Sequence, residues 1–183
     1  MKIHYFFLAT GLAAIGAPAS AAVTVLGTSS ARTCYLAAEN RFAGSEAIAD
    51  CNLAIGQHLA DHDQVATHVN RGILKLRFAD LPGAIADFDQ AISLDPTEAE
   101  AYLNKGMALL RLPEGETAAI AQFDAALQKK TRHPAFAYYG RAIAHELNGR
   151  VKEAYHDYRR ASDLEPGWSE PKKELARFTV RQQ

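Results

Sequence analysis

Apolar residues recur along most of this chain at the spacing of amphipathic helices. In several stretches they fall at positions i, i+4 and i+7, which lie on one face of an α-helix. Prolines and polar capping residues stand between these stretches, where helices end and begin. The pattern predicts an all-α chain of short helices joined by tight turns.

Five positions recur in three successive segments. In the first segment they are Gly72, Ala84, Phe88, Ala91 and Pro96, which are 12, 4, 3 and 5 residues apart. Small residues let two helices cross closely, the aromatic residue and the second alanine share a face, and proline ends the helix. The equivalent positions are Gly106, Ala119, Phe123, Ala126 and Pro134 in the second segment, which has extra residues in its loops, and Ala142, Ala154, Tyr158, Ala161 and Pro166 in the third.

These segments resemble the tetratricopeptide repeat, a helix pair with a period of 34 residues. The resemblance rests on Asn70-Arg71-Gly72, Asn104-Lys105-Gly106, the run from Gly83 to Ile92, and Leu94-Asp95-Pro96. His68 departs from the family's first aromatic position, which Tyr102 and Tyr138 fill in the later repeats. The resemblance implies a right-handed α-solenoid of antiparallel helix pairs, with repeats at 65–98, 99–134 and 135–168.

The segment before the repeats, 32–62, is interpreted as a degenerate helical hairpin. Ala47, Cys51 and Ala54 repeat the intervals of 4 and 3 residues, with Cys51 in the aromatic position. Cys34 would lie opposite on the preceding helix, and a disulfide closing this loop would stabilise the fold by about 3 kcal/mol. Two buried free thiols are the alternative.

The segment after the repeats, 169–183, is expected to form a C-terminal capping helix. Pro171, Leu175 and Phe178 would form its apolar face, and charged residues would face water. Terminal helices of this kind hide the core of a repeat array.

The first 21 residues have the features of a signal peptide. Lys2 precedes an apolar stretch over residues 5–15, and Ala19-Ser20-Ala21 has the small-x-small pattern of a cleavage site. A membrane anchor is the alternative, but the stretch is shorter than the roughly 20 residues that span a bilayer. We therefore expect an exported chain without stable membrane insertion, in a bacterial periplasm, with residues 22–31 as a flexible linker.

Composition and motifs give no support for catalysis, cofactors or nucleic acid. The formal net charge is −1, so no basic surface favours nucleic acid. Neither a phosphate-binding glycine loop nor a nucleophile motif occurs in the sequence. The expectation is a protein without enzymatic activity, cofactor or metal.

Two clusters are weak candidates for other sites. His58 and His62, with Asp61, Asp63 and His68 nearby, could form a metal site, but their segment reads as a connection between helices. The basic residues after the second repeat could contact an acidic partner, or be a solvated corner; they are Lys129, Lys130, Arg132 and His133.

The resemblance implies that the first helices of the repeats line a concave groove that binds a partner. Val69 and Ile73 occupy the positions where relatives that grip an acidic chaperone tail carry Lys and Asn. Asn70 and Asn104 are equivalent to asparagines that hold peptide backbone in some relatives, and Gly140 replaces the third. The expected groove residues are Val69, Asn70, Ile73, Leu76 and Arg77 from the first repeat, Leu103, Asn104, Met107, Leu110 and Arg111 from the second, and Phe136, Tyr139, Ile143 and Glu146 from the third.

An apolar floor of this extent is typical of an interaction site. The hypothesis is therefore an adaptor that binds a protein or peptide with apolar side chains outside the cytosol. Two alternatives stay open: a structural or self-associating envelope component, and a floor that is partly buried by the chain's own ends.

Overall fold

The protein is described by a computed structural model that covers residues 2–5, 21–27, 29–40 and 44–181. Over these residues the chain forms nine α-helices and two short strands. The helices are α1 (Ser29–Glu39), α2 (Ala47–Ile55), α3 (Asp61–Arg77), α4 (Leu81–Leu94), α5 (Ala99–Leu109), α6 (Glu116–Gln128), α7 (Pro134–Leu147), α8 (Val151–Leu164) and α9 (Ser169–Leu175); the strands are β1 (Lys2–Tyr5) and β2 (Phe178–Arg181).

Successive helices pack as pairs, α1 with α2, α3 with α4, α5 with α6 and α7 with α8, and each pair packs on the next. The all-helical repeat architecture predicted from the sequence is confirmed. Within each repeat the aromatic residue of the second helix is at the centre: Phe88, Phe123 and Tyr158 are almost completely buried. A Cβ added at Gly72 would lie 2.5 Å from the Phe88 ring, so the small residue is needed for the helix crossing.

A basic residue on each first helix joins neighbouring pairs. Arg71 donates to Asp87 of α4 and to Asn52 of α2, and Arg141 and Lys105 occupy the equivalent positions. Burial opposes ionisation of Asp87, but hydrogen bonds from His68, Arg71 and Lys75 hold its pKa well below the usual range. Arg141 binds Asp157 and Asp124, and Lys105 binds Asp89.

The disulfide predicted between Cys34 and Cys51 is present. It joins α1 to α2 with a Cα–Cα distance of 4.9 Å, and both residues are fully buried. The N-terminal hairpin therefore has a covalent link where the three repeats have an aromatic side chain.

The C-terminal cap differs from the helix expected over 169–183. The helix α9 covers only Ser169–Leu175, and Phe178 begins β2, which pairs antiparallel with β1. The β-branched residues after Phe178 favour a strand over a helix. Phe178 still covers the end of the array, because its ring lies 5.7 Å from that of Tyr155 and 6.0 Å from that of Tyr158.

The predicted signal peptide falls largely outside the described residues. Of its 21 positions the structure describes 2–5, as β1, and 21. Among the described helices, none has the length and apolarity that crossing a bilayer requires.

Candidate partner-binding groove

The first helices of the three repeats, α3, α5 and α7, lie next to one another and carry the residues expected on the groove floor. The chain's own residues 21–27 lie along α3 and reach α5. We call residues 21–27 the N-terminal segment. The flexible linker expected over 22–31 is therefore corrected: its first half is docked in the groove, and residues 29–31 belong to α1.

The side-chain amide of Asn70 holds the backbone of the N-terminal segment at Val23. Its Oδ1 accepts from the Val23 N–H at 2.9 Å and its Nδ2 donates to the Val23 carbonyl at 2.8 Å. Asn70 is fully buried. Its amide thus satisfies both main-chain groups of one extended residue, in the manner that the family resemblance implied for a peptide ligand.

Further contacts hold the segment on either side of Val23. Asn104 donates to the Ala21 carbonyl at 3.2 Å and also to the Glu100 carbonyl of its own helix at 2.8 Å. At the other end, Asp63 accepts from the Leu26 N–H at 2.9 Å. The segment therefore runs from α5 to the first turn of α3 and leads directly into α1.

Side chains of the N-terminal segment differ sharply in exposure. Ala21, Ala22, Val23 and Val25 are 3 to 8% exposed, whereas Leu26 is 84% exposed and Thr24 is also exposed. The valines belong to an apolar cluster that includes Val65, Val69 and Ile73, and Ala21 belongs to one that includes Leu103, Leu110 and Phe136. The segment therefore uses small and β-branched side chains to cover the apolar floor.

The asparagine ladder stops at the third repeat for a packing reason. A Cβ at Gly140 would lie 2.5 Å from Cζ of Phe123. An asparagine there would displace the aromatic core of the second repeat.

Part of the floor on α7 is covered from the C-terminal side. Trp168 stacks on Phe136 with ring centroids 4.5 Å apart and lies 4.7 Å from the Tyr139 ring. Leu76, Met107 and Ile143 are only partly buried. The chain's own ends therefore bury part of the floor in both the first and the third repeat, as one of the open alternatives supposed.

The two arginines expected beside the groove bind helix ends instead. Arg77 donates to the carbonyls of Ala37, Ala38 and Asn40 at the end of α1, and Arg111 donates to the Leu76 carbonyl at 2.7 Å. The last carbonyls of a helix have no partner within the helix, so these guanidinium groups cap the preceding first helix. The two arginines occupy equivalent positions in successive repeats, and in the structure both bind the end of a neighbouring helix.

Glu146 is likewise occupied within the fold. It accepts from the Tyr158 hydroxyl at 3.0 Å and from Arg177 at 2.6 Å. Burial raises the pKa of its carboxyl. This residue connects α7 to α8 and to the C-terminal cap rather than facing an open groove.

A polar pocket of about 280 Å³ borders the N-terminal segment at Val23 and Thr24. Glu100, almost fully buried, accepts from the Thr131 hydroxyl and the Arg132 N–H. Burial and the neighbouring Glu100 raise the pKa of Glu98 to about 7. The pocket is lined by Val23, Thr24, His62, Asp95, Thr97, Glu98, Ala99, Glu100, Lys129, Lys130 and Arg132.

The basic run after the second repeat lies partly at this pocket. Lys129 sits over the Tyr102 ring, 5.0 Å from its centroid, and Arg132 pairs with Glu100 at 3.3 Å while its guanidinium lies 3.5 Å from the Ala22 carbonyl. Three carboxylates line the pocket, those of Asp95, Glu98 and Glu100. None of them was assigned to a site from the sequence.

The histidines considered for a metal site do not converge. His62 is largely exposed and lies 3.4 Å from Asp63, whereas His68 is buried and faces Asp87 at 3.3 Å. His58 is exposed. Within the part of the chain that the structure describes, no three His, Cys, Asp or Glu side chains form a group suited to a metal ion.

Comparison with known proteins agrees with this geometry. Residues 69–135 match the family model of the tetratricopeptide repeat, and no curated protein matches the chain. The Arabidopsis OM64 TPR domain is 25% identical over 64% of this chain and 96% of its own, with a TM-score of 0.61. A MamA RS-1 double mutant is 20% identical over 81% of this chain and 82% of its own, with a TM-score of 0.65.

A third similar structure contains a ligand. The first TPR of Spaghetti (RPAP3), bound to the HSP90 peptide SRMEEVD, is 24% identical over 65% of this chain and 92% of its own, with a TM-score of 0.59. At 24% identity, this similarity shows a shared fold only. The chain is thus a helical repeat protein, of which residues 69–135 match the tetratricopeptide repeat.

Proposed function

We propose that this protein is an adaptor that binds an extended segment of a partner polypeptide along its concave face, outside the cytosol. The observation that carries the proposal is the pair of hydrogen bonds between the Asn70 amide and both backbone groups of Val23. These bonds recognise main chain rather than a particular side chain. Bonds of this kind suit an extended polypeptide of many sequences, and tetratricopeptide domains generally act in protein–protein interaction.

The location outside the cytosol is supported by two features. The first residues have the charged, apolar and small-x-small pattern of a signal peptide. Disulfides persist in oxidising compartments, and Cys34 is bonded to Cys51. A bacterial periplasm accommodates both, and N-terminal sequencing of the protein purified from cell envelopes tests it: a chain that begins at Ala22 is expected.

The kind of partner is narrowed by the groove's composition. Val69 and Ile73 are buried apolar residues of α3, at the positions where relatives that bind acidic chaperone tails carry Lys and Asn. An acidic peptide like the one bound by Spaghetti is therefore disfavoured. A segment with apolar side chains fits the floor, and the formal net charge of −1 does not favour nucleic acid.

Site-specific photo-crosslinking in intact envelopes tests the proposal. Met107 is a suitable position because it is only partly buried on α5, whereas Leu103 is 2% exposed and its replacement would damage the core. Leu164 on α8, 42% exposed, is the matched control. One partner should crosslink at position 107 and not at 164, and Met107→Glu should abolish its binding without lowering the melting temperature.

The alternative is a structural or self-associating envelope component. It is favoured by Leu36 and Leu53, which are 49% and 59% exposed on the terminal hairpin, because an exposed array end can stack on another copy. Sedimentation over a wide concentration range distinguishes the two. A monomer throughout would reject self-association, and dimers that Leu53→Glu dissociates would favour it over the adaptor.

A further inference from the structure

We propose that the partner segment has the pattern with which residues 21–25 occupy the groove, small-small-β-branched-any-β-branched, and that it binds by displacing them. This inference rests on the proposed function. It treats the N-terminal segment as an intramolecular occupant of the partner's site. The partner is then an extended, uncharged stretch rich in alanine and valine.

Burial of the side chains defines the pattern. Ala21 and Ala22 are 6% and 8% exposed, so the floor beneath them takes small residues, and Val23 and Val25 are each 3% exposed against the apolar cluster of α3. The side chain at Thr24 is exposed and hydrogen-bonds Tyr35, so burial sets no restriction at this position. A charged residue at the position of Val25 would be placed in an apolar environment.

The main chain adds a second restriction. The Val23 N–H donates to Asn70, so the equivalent partner residue cannot be proline, which lacks that donor. Its carbonyl accepts from the same amide. The partner segment must therefore be extended and free of proline at this position.

The segment is held unequally along its length. At its C-terminal end Leu26 is bonded to Asp63 and the chain enters α1 two residues after Gly27. At its N-terminal end, Ala21 is held by one bond of 3.2 Å, and the Arg132 guanidinium lies 3.5 Å from the Ala22 carbonyl. Displacement therefore starts at the N-terminal end of the segment and proceeds toward Val25.

Release need not unfold the N-terminal hairpin. The disulfide keeps α1 attached to α2, and both helices also pack on α3. A tethered segment competes at an effective concentration in the millimolar range. A partner must therefore exceed the segment's own affinity, which makes the groove selective.

The test uses a blocked peptide with the sequence of residues 21–27, Ala-Ala-Val-Thr-Val-Leu-Gly, carrying a fluorophore. It is titrated into the full-length chain and into the Val23→Pro variant, whose own segment lacks the N–H that donates to Asn70. Because apparent affinity scales with the fraction of open groove, the peptide should bind the variant at least about 10-fold more tightly than the unaltered chain. Adding Asn70→Ala to that variant should remove this gain.

Two altered peptides test the pattern itself. Replacing the peptide's second valine by aspartate should abolish binding, since that position is buried against the apolar cluster of α3, whereas replacing its threonine by aspartate should leave the affinity within about 2-fold. Equal binding of both altered peptides would contradict the inference. Equal affinity of the unaltered peptide for a folded Val23→Pro variant and for the unaltered chain would contradict it too.

Hydrogen exchange on the unaltered chain supplies a measurement that does not depend on a variant folding. The amides of Val23 and Leu26 should be protected in the free chain, and millimolar peptide should increase exchange at Val23 first. No change at saturating peptide would overturn displacement. Crosslinking of a partner at position 107 without peptide binding would reject this inference alone, whereas peptide binding without any crosslinked partner would reject the proposed adaptor function.

Discussion

Replacing Asn70 by alanine is expected to release the N-terminal segment while the repeats stay folded. The substitution removes the donor and the acceptor that bind Val23 at 2.8 and 2.9 Å. No other side-chain hydrogen bond spans from Asn70 to another described element. Its amide can therefore be deleted without breaking the contacts between helix pairs.

The expected loss of stability depends on whether the N–H and the carbonyl of Val23 stay buried or become hydrated. A hydrogen bond contributes about 1 kcal/mol net, and a buried group left unpaired costs about 1 to 3 kcal/mol. If the segment stayed docked around Val23, two unpaired groups would cost about 2 to 6 kcal/mol. Undocking hydrates both groups, so the loss is limited to the net contribution of the two bonds, about 2 kcal/mol.

Urea unfolding and hydrogen exchange measure the two consequences separately. The free energy of unfolding should fall by about 2 kcal/mol, and exchange should speed up at residues 23–26 but not in α4 or α6. Asn104→Ala is the matched control, because Asn104 makes one bond of 3.2 Å to the segment and one within its own helix. Asn104→Ala should lower the free energy of unfolding by less than half as much as Asn70→Ala.

A double-mutant cycle that combines Asn70→Ala with Val23→Pro decides whether Asn70 stabilises the protein through its bonds to the N-terminal segment. The cost of Asn70→Ala should shrink to a few tenths of a kcal/mol in the proline background. A cost that is the same in both backgrounds would mean that Asn70 stabilises α3 itself. The reasoning about main-chain recognition would then be refuted.

Three further variants test other parts of the fold. Cys51→Ser, which removes the bond to Cys34, should lower stability by about 3 kcal/mol in urea unfolding, and a reductant should have no added effect. Gly72→Ala should cost about 1 to 3 kcal/mol in the same assay, since the new Cβ would lie 2.5 Å from the Phe88 ring. Because the pKa of Glu98 is raised to about 7 in the folded protein, the free energy of unfolding should fall as pH rises from about 4.5 to 7. Melting curves should show that Glu98→Gln removes this decline.

The repeats could be predicted because their information is local. The intervals of 12, 4 and 3 residues between the small and aromatic positions correspond to packing within one helix pair, and proline stands near a helix boundary. The disulfide could be predicted for the same reason, since Cys51 takes the aromatic position of the pattern. Periodicity thus identifies both the helix pairs and the residues on their first helices.

The occupant of the groove could not be predicted, because its contacts are not local. The bond between Val23 and Asn70 joins residues 47 positions apart, and that between Ala21 and Asn104 joins residues 83 apart. No repeat marks residues 21–27. Their β-branched composition favours extended structure, but composition alone does not say what an extended segment pairs with.

The roles of the flanking arginines were missed for a related reason. The sequence shows that Arg77 and Arg111 stand at equivalent positions, but it does not show that the preceding first helix ends beside each of them. Stacking of successive pairs brings those carbonyl ends within reach of the guanidinium groups. A side chain repeated at the edge of the groove can therefore serve the solenoid rather than a ligand.

If the chain is cut after Ala21 during export, as the small-x-small pattern predicts, the cut also changes how firmly the N-terminal segment is held in the groove. Ala21 is 6% exposed and bonded to Asn104, so a peptidase would have to act before the segment docks. The cut would remove the Asn104 bond and also β1, the partner strand of β2. Among the described residues, Asn70, Asp63 and Arg132 would then be the remaining side chains that bind the segment's backbone. The processed chain should accordingly open its groove more readily than the precursor, which would confine partner binding to the compartment where processing takes place.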